Sequence, residues 1–139
     1  MDVIERILDN VDNTRGLSLS EKMARFGDYR RFAIGHAAKS GHLDVVKRLI
    51  AKYRAPYGQA LAVAAKHGHR DIVDFLLEKG PRLEDINLAL AYAAKGGQRG
   101  ILGQLVDSGA NEFSLAKTYA EEAGHLDIAG WMEVSNRLK

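Results

Sequence analysis

His67 and His69 flank Gly68, a spacing that on paper offers two imidazoles to one metal ion. A zinc site needs further nitrogen, sulfur or carboxylate ligands. The chain has no cysteine, and no carboxylate of the sequence converges on this pair, so no metal site is expected. Gly96, Gly97, Gly100 and Gly103, with Ser108-Gly109 close behind, could suggest a phosphate-cradling loop. A dinucleotide fingerprint requires a strand before its glycines, however, and this segment lies between helical patterns. Thiol catalysis is excluded with the cysteines, and the acidic residues form no recurrent pair. No catalytic residue and no cofactor are expected. The remaining chemistry is cationic and aromatic: Lys39, Lys66 and Lys95 each stand two residues before a glycine, with Glu122 in the fourth such place. Beside them, five before the same glycines, run His36, Val63, Tyr92 and Tyr119. Lysines attract acidic groups, and a tyrosine offers apolar area with a hydrogen-bonding tip, so these columns suit recognition.

The elements that position them follow from an internal repeat. Ala37-Ala38-Lys39-Ser40-Gly41-His42-Leu43-Asp44-Val45-Val46 returns as Ala64-Ala65-Lys66-His67-Gly68-His69-Arg70-Asp71-Ile72-Val73, and more weakly from Ala93 and from Ala120. The glycines Gly41, Gly68, Gly97 and Gly124 are separated by 27, 29 and 27 residues. Counting from each glycine, minus eight is Ala33, Ala60, Ala89 and Ala116, and minus four is Ala37, Ala64, Ala93 and Ala120. Two alanines four apart share a helix face and let a neighbouring helix approach closely. Ile34, Leu61 and Leu90 at minus seven are expected to fill the layer between units. After the glycine, apolar residues at plus four, five, eight and nine, such as Val45, Val46, Leu49 and Ile50, mark a second amphipathic helix. Each unit therefore reads helix, glycine turn, helix, the glycine ending the first helix in the left-handed conformation. Phe75 and Trp131, both at plus seven, are expected to pack against neighbours.

The run Ala-Ala-x-x-Gly-His-x-Asp-(Val/Ile)-Val-x-x-Leu-(Leu/Ile), at 37 to 50 and again at 64 to 77, resembles the core of an ankyrin repeat. The resemblance implies an all-α, ankyrin-like solenoid of stacked helix-turn-helix repeats with short connecting loops, serving as a protein-binding module with no catalytic activity. It also implies that the histidine after the glycine, His42, His69 and His125 with Gln98 in the third unit, holds the turn. The two residues before each glycine become the variable pair lining a concave face. The expected partner-binding residues are accordingly Lys39, Ser40, Lys66, His67 and Lys95, with Tyr92 and Tyr119 from the neighbouring column.

The chain departs from the family pattern in three ways. The Thr-Pro and first His of the family are absent, their places held by Phe32-Ala33-Ile34-Gly35, Gln59-Ala60-Leu61-Ala62 and Leu88-Ala89-Leu90-Ala91. The step is short by about four to six residues, so the connections near 53–59, 80–87 and 109–114 leave no room for protruding fingers. The third unit puts Gly100 where Asp44, Asp71 and Asp127 stand in its siblings, and Gly103 inside its second helix, which predicts the softest helix of the stack.

Asp2 to Leu8 aligns with Asp44 to Ile50, so residues 1–9 read as an N-terminal half-repeat cap. Residues 10–27 read as an irregular connection in which Ser18 or Ser20 could cap a short helix. Repeats are then expected at 28–54, 55–82 and 83–110, with a C-terminal capping repeat at 111–139, all in one domain of 139 residues. Asp28 and Asn111 are expected as N-caps of inner helices, and Lys117 with Glu121 as part of a polar outer face.

With 46% hydrophobic residues and no apolar run long enough for a span, the chain reads as a soluble globular protein. Charges at Asp2, Glu5, Arg6 and Asp9 interrupt any signal-peptide core, and the lack of cysteine suits a reducing compartment, so a cytoplasmic or nuclear location is expected. The expected partner is another protein with an acidic surface, met by a monomer and not by a membrane. Nucleic-acid or polyanion binding through the lysine column is the alternative, weakened by a net charge of only +2.

Overall fold

The computed structural model describes residues 29–138 and Glu21. The proposed half-repeat at 1–9, the connection at 10–27 and the caps Ser18, Ser20 and Asp28 lie outside the described residues. Within them are eight helices: α1 Tyr29–Ser40, α2 Leu43–Tyr53, α3 Gly58–Lys66, α4 Arg70–Glu78, α5 Leu83–Gly96, α6 Arg99–Asp107, α7 Phe113–Glu122 and α8 Leu126–Arg137. No strand occurs among the described residues, and the connections between units are confined to 54–57, 79–82 and 108–112. There is no finger hairpin in them.

Odd-numbered helices pack in a row, α1 on α3, α3 on α5 and α5 on α7, and each is backed by the helix that follows it. The alanine positions explain the row. Ala33, Ala60, Ala89 and Ala116, with Ala37, Ala64, Ala93 and Ala120, are all buried, so a methyl group is the largest side chain the seam admits. Ile34, Leu61 and Leu90 fill the layers between, fully buried, as do Leu49, Leu76, Leu102, Leu105 and Met132 from the outer helices. Removing any of these leucines to alanine opens a cavity worth about 2–5 kcal/mol.

Each hairpin turn is built identically. Gly41, Gly68, Gly97 and Gly124 have φ of +79°, +78°, +71° and +82°, a region that penalises any side chain. The next N–H, from His42, His69, Gln98 or His125, donates to the carbonyl of the minus-four alanine at 2.8–3.0 Å, and the glycine N–H reaches one residue further along. Two carbonyls at each helix end are thereby satisfied.

Helix α5 starts at Leu83, earlier than the expected connection 80–87, because Glu84 and Asp85 in its first turn suit the helix dipole. The expectation that Asn111 caps the last inner helix is corrected. The residue at that position is Glu112, with no side-chain capping bond, and the cap comes from the preceding unit instead. Asn87 Oδ1 accepts the N–H groups of Asn111 at 2.8 Å and Glu112 at 3.2 Å, while Asn87 Nδ2 donates to Asn111 Oδ1 at 3.1 Å. A side chain on α5 thus does for α7 what a local cap would do, and ties the units together.

At the far end, Lys117 pairs with Glu121 at 3.6 Å and with Glu133 at 3.7 Å, and Arg137 pairs with Glu133 at 2.8 Å. Lys117, Glu121 and Glu133 stand at positions where the earlier units carry apolar residues.

Candidate protein-interaction face

On an inner helix, residues at minus nine, five and two from the turn glycine are spaced i, i+4, i+7 and share one face. The face opposite the backing helix therefore carries four rows: Phe32-His36-Lys39, Gln59-Val63-Lys66, Leu88-Tyr92-Lys95 and Leu115-Tyr119-Glu122. Stacking α1, α3, α5 and α7 side by side turns the rows into a grid.

The first two rows bound an open groove of about 550 Å³ whose lining includes Phe32, His36, Lys39, Gln59 and Val63. Phe32 is 56% exposed, and its ring stacks on His36 with centroids 6.2 Å apart. The apolar residues Ala33 and Ile34 that follow it are buried, so Phe32 stands out as an exposed aromatic of α1. Sequence reasoning passed over Phe32, treating it only as a departure from Thr-Pro; its placement four residues before His36 was the available signal.

Of the residues expected at the site, Lys39, Lys66 and His67 come together at the ends of α1 and α3. His67 is exposed, yet partial burial and then the charges of Lys66, Lys39 and, more weakly, His69 hold its imidazole below the ordinary value of 6.5. Lys39 and Lys66 each stand in the last turn of their helix. Ser40 lies exposed at the end of α1 beside Lys39.

Tyr92, Tyr119 and Lys95 form a second group. The two tyrosine rings lie 6.0 Å apart, tilted by 30°, and Lys95 Nζ sits 5.7 Å from the Tyr119 centroid. Both tyrosines are half-buried, so they pack and also present an edge. At Glu122 the sign of the column reverses.

His69 reaches back to the preceding inner helix. Its Nε2 lies 2.8 Å from the Lys39 carbonyl oxygen, in the preceding unit. Gln98 takes the same role one unit on, Nε2 donating to the Lys66 carbonyl at 3.2 Å. The ring of His125 covers Gly97, as that of His69 covers Gly41. His69, Gln98 and His125 thus each reach the turn of the unit before as well as forming their own. Among the described residues no group of three or more histidines and carboxylates could hold a metal ion.

The family comparison agrees with this geometry. The family model of ankyrin repeats, three copies long, matches residues 2–87 and again residues 34–114. No curated protein matches the chain.

Proposed function

We propose that this chain, which belongs to the ankyrin-repeat family, is a non-catalytic adaptor that holds an acidic protein segment against its inner-helix grid. Ankyrin repeats are generally protein–protein interaction modules. No helix among the described residues is long and apolar enough to cross a membrane. The observation that carries the finer reading is the pairing, within single rows, of a lysine with an aromatic or apolar residue: Lys39 with Phe32 and His36, Lys95 with Tyr92. Such rows reward a partner that alternates carboxylates with apolar side chains, the charges steering and the rings anchoring. Ser40, Lys66, His67 and Tyr119 complete the surface. On this reading the chain binds as a monomer, since the grid needs no second copy, and works in the cytoplasm or nucleus.

A blocked peptide of glutamates flanking one phenylalanine is the probe, titrated into isotope-labelled protein. Saturable shifts confined to Phe32, His36, Lys39, Lys66 and Lys95 are expected. The variant carrying Lys39→Glu, Lys66→Glu and Lys95→Glu should melt cooperatively with unchanged helix content and lose these shifts. Unchanged binding in that variant would move the site elsewhere. If a single-stranded oligonucleotide binds the same residues more tightly, with affinity falling steeply in salt, the polyanion reading takes its place.

A further inference from the structure

On the outer side of the stack, each seam between units sets a residue at plus six of one unit against a residue at plus seven of the next. In the first seam Lys47 Nζ lies over the Phe75 ring, 5.4 Å from its centroid. In the second, Gln104 Nε2 donates to the Asp74 carboxylate. The third seam would pair position 103 with Trp131, but position 103 is a glycine whose added Cβ would meet nothing within 4 Å. Trp131, expected to pack, is instead 43% exposed. The space left open is a hollow of about 320 Å³ between α6 and α8, lined by Arg99, Leu102, Gly103, Asp127, Ile128 and Trp131. It falls at the small end of ligand-sized clefts, which run to roughly 300–1,000 Å³.

The geometry points to a second binding site here, on the outer helices and independent of the inner grid, that takes a single uncharged aromatic side chain from a partner protein. Three observations select that occupant. The floor and walls, Leu102, Gly103, Ile128 and the Trp131 ring, are apolar, so a polar group would lose its water without gaining a partner. The two charges at the rim are already spent on each other: Arg99 Nε donates to Asp127 Oδ2 at 2.8 Å, and Nη2 contacts the same oxygen. Neither an acid nor a base therefore finds an unpaired charge to meet at the rim, and a neutral side chain loses nothing by that. Val134 on α8 and Leu138 just past its end follow Trp131 by three and seven residues, 52% and 82% exposed, and add apolar surface beyond the hollow. An aromatic ring stacked on Trp131 with its backbone along that stripe satisfies all three.

Trp131 is the one tryptophan of the chain, so its indole N–H resonance reports on the hollow without ambiguity. The probe is the blocked peptide acetyl-Gly-Phe-Gly-amide, with acetyl-Gly-Lys-Gly-amide and acetyl-Gly-Ala-Gly-amide as comparisons. The phenylalanine peptide should shift the indole resonance saturably at millimolar concentration, and the other two should not. Gly103→Lys supplies from within the chain the cation that Lys47 supplies to Phe75, and should weaken the phenylalanine peptide by about tenfold or more. Trp131→Ser, read through the methyl resonances of Leu102 and Ile128 in the folded variant, should abolish the response. The triple lysine variant of the inner grid should bind the phenylalanine peptide like the parent. A lysine peptide as effective as the phenylalanine one, no saturable response in the parent, or an undiminished response in folded Gly103→Lys each overturns the site.

Discussion

His69 spans the boundary between two repeats: its Nε2 lies 2.8 Å from the carbonyl oxygen of Lys39, thirty residues earlier, and its ring covers Gly41. The carbonyl is at the end of α1, where the helix has no partner of its own to offer. The same ring therefore joins two units and completes a helix terminus.

Replacing His69 by alanine should cost about 1–2 kcal/mol, from a lost hydrogen bond and a helix-end carbonyl left to water. His69→Gln should recover most of it, because Gln98 already makes the equivalent bond one unit on. Denaturant unfolding measures both. Equal loss in the two variants would show that ring packing over Gly41, and not the hydrogen bond, is what counts.

Two glycines of the third unit should respond to alanine with opposite signs. A Cβ at Gly96 would run into the backbone carbonyl of Lys66, which cannot give way, whereas one at Gly103 meets open space. Gly96→Ala is expected to destabilise by more than 1 kcal/mol, and Gly103→Ala to stabilise by about 1 kcal/mol through helix propensity. Gly100 lies 3.4 Å, at its notional Cβ, from Arg70 Nη1. Gly100→Asp should set a carboxylate opposite Arg70, as Asp127 is set opposite Arg99 in the next seam, adding up to about 1 kcal/mol. Slower amide exchange at Leu102 and Leu105 in Gly103→Ala would mark α6 as the soft helix of the stack. No change there would remove that idea.

Asn87→Ala should fray the start of α7. The two N–H groups it caps, those of Asn111 and Glu112, lose their acceptor together, and a lost cap costs about 1 kcal/mol. Exchange should quicken at 111–114 while the α3 and α4 amides stay as they were. A uniform acceleration along the chain would mean that the unit boundary is not a separable element.

His67 should titrate below 6.5 in the folded chain, and Lys39→Gln or Lys66→Gln should raise it part of the way back, burial being the larger cause. A base with a depressed folded value binds fewer protons than in the unfolded chain. Stability should accordingly decline as pH falls from about 6.5 through the folded value, and no further below it. An acidic segment lying along the lysines reverses the repulsion, so its affinity should increase over the same interval. A histidine carbon resonance followed against pH, with and without the acidic peptide, gives both numbers. A folded value at or above 6.5 contradicts the cluster.

The repeat, its period, the hairpin in each unit and the layer of alanines could all be read from the chain, because they depend on spacing along one helix and on where a glycine falls. The lysine and tyrosine columns were legible for the same reason. Relations across units were not. The tie from His69 to Lys39, the cap that Asn87 lends to α7 and the hollow opposite Trp131 depend on which residue of one repeat faces which residue of the next, and that register is set by how closely the alanine faces let the helices approach. Phe32 makes the point from the other side. Its place four residues before His36 could be read off the chain, but that it stays 56% exposed while Ala33 and Ile34 beside it are buried belongs to the packed stack. Local pattern fixes what each unit is; the packing of one unit on another decides which of its side chains remain free to meet a partner.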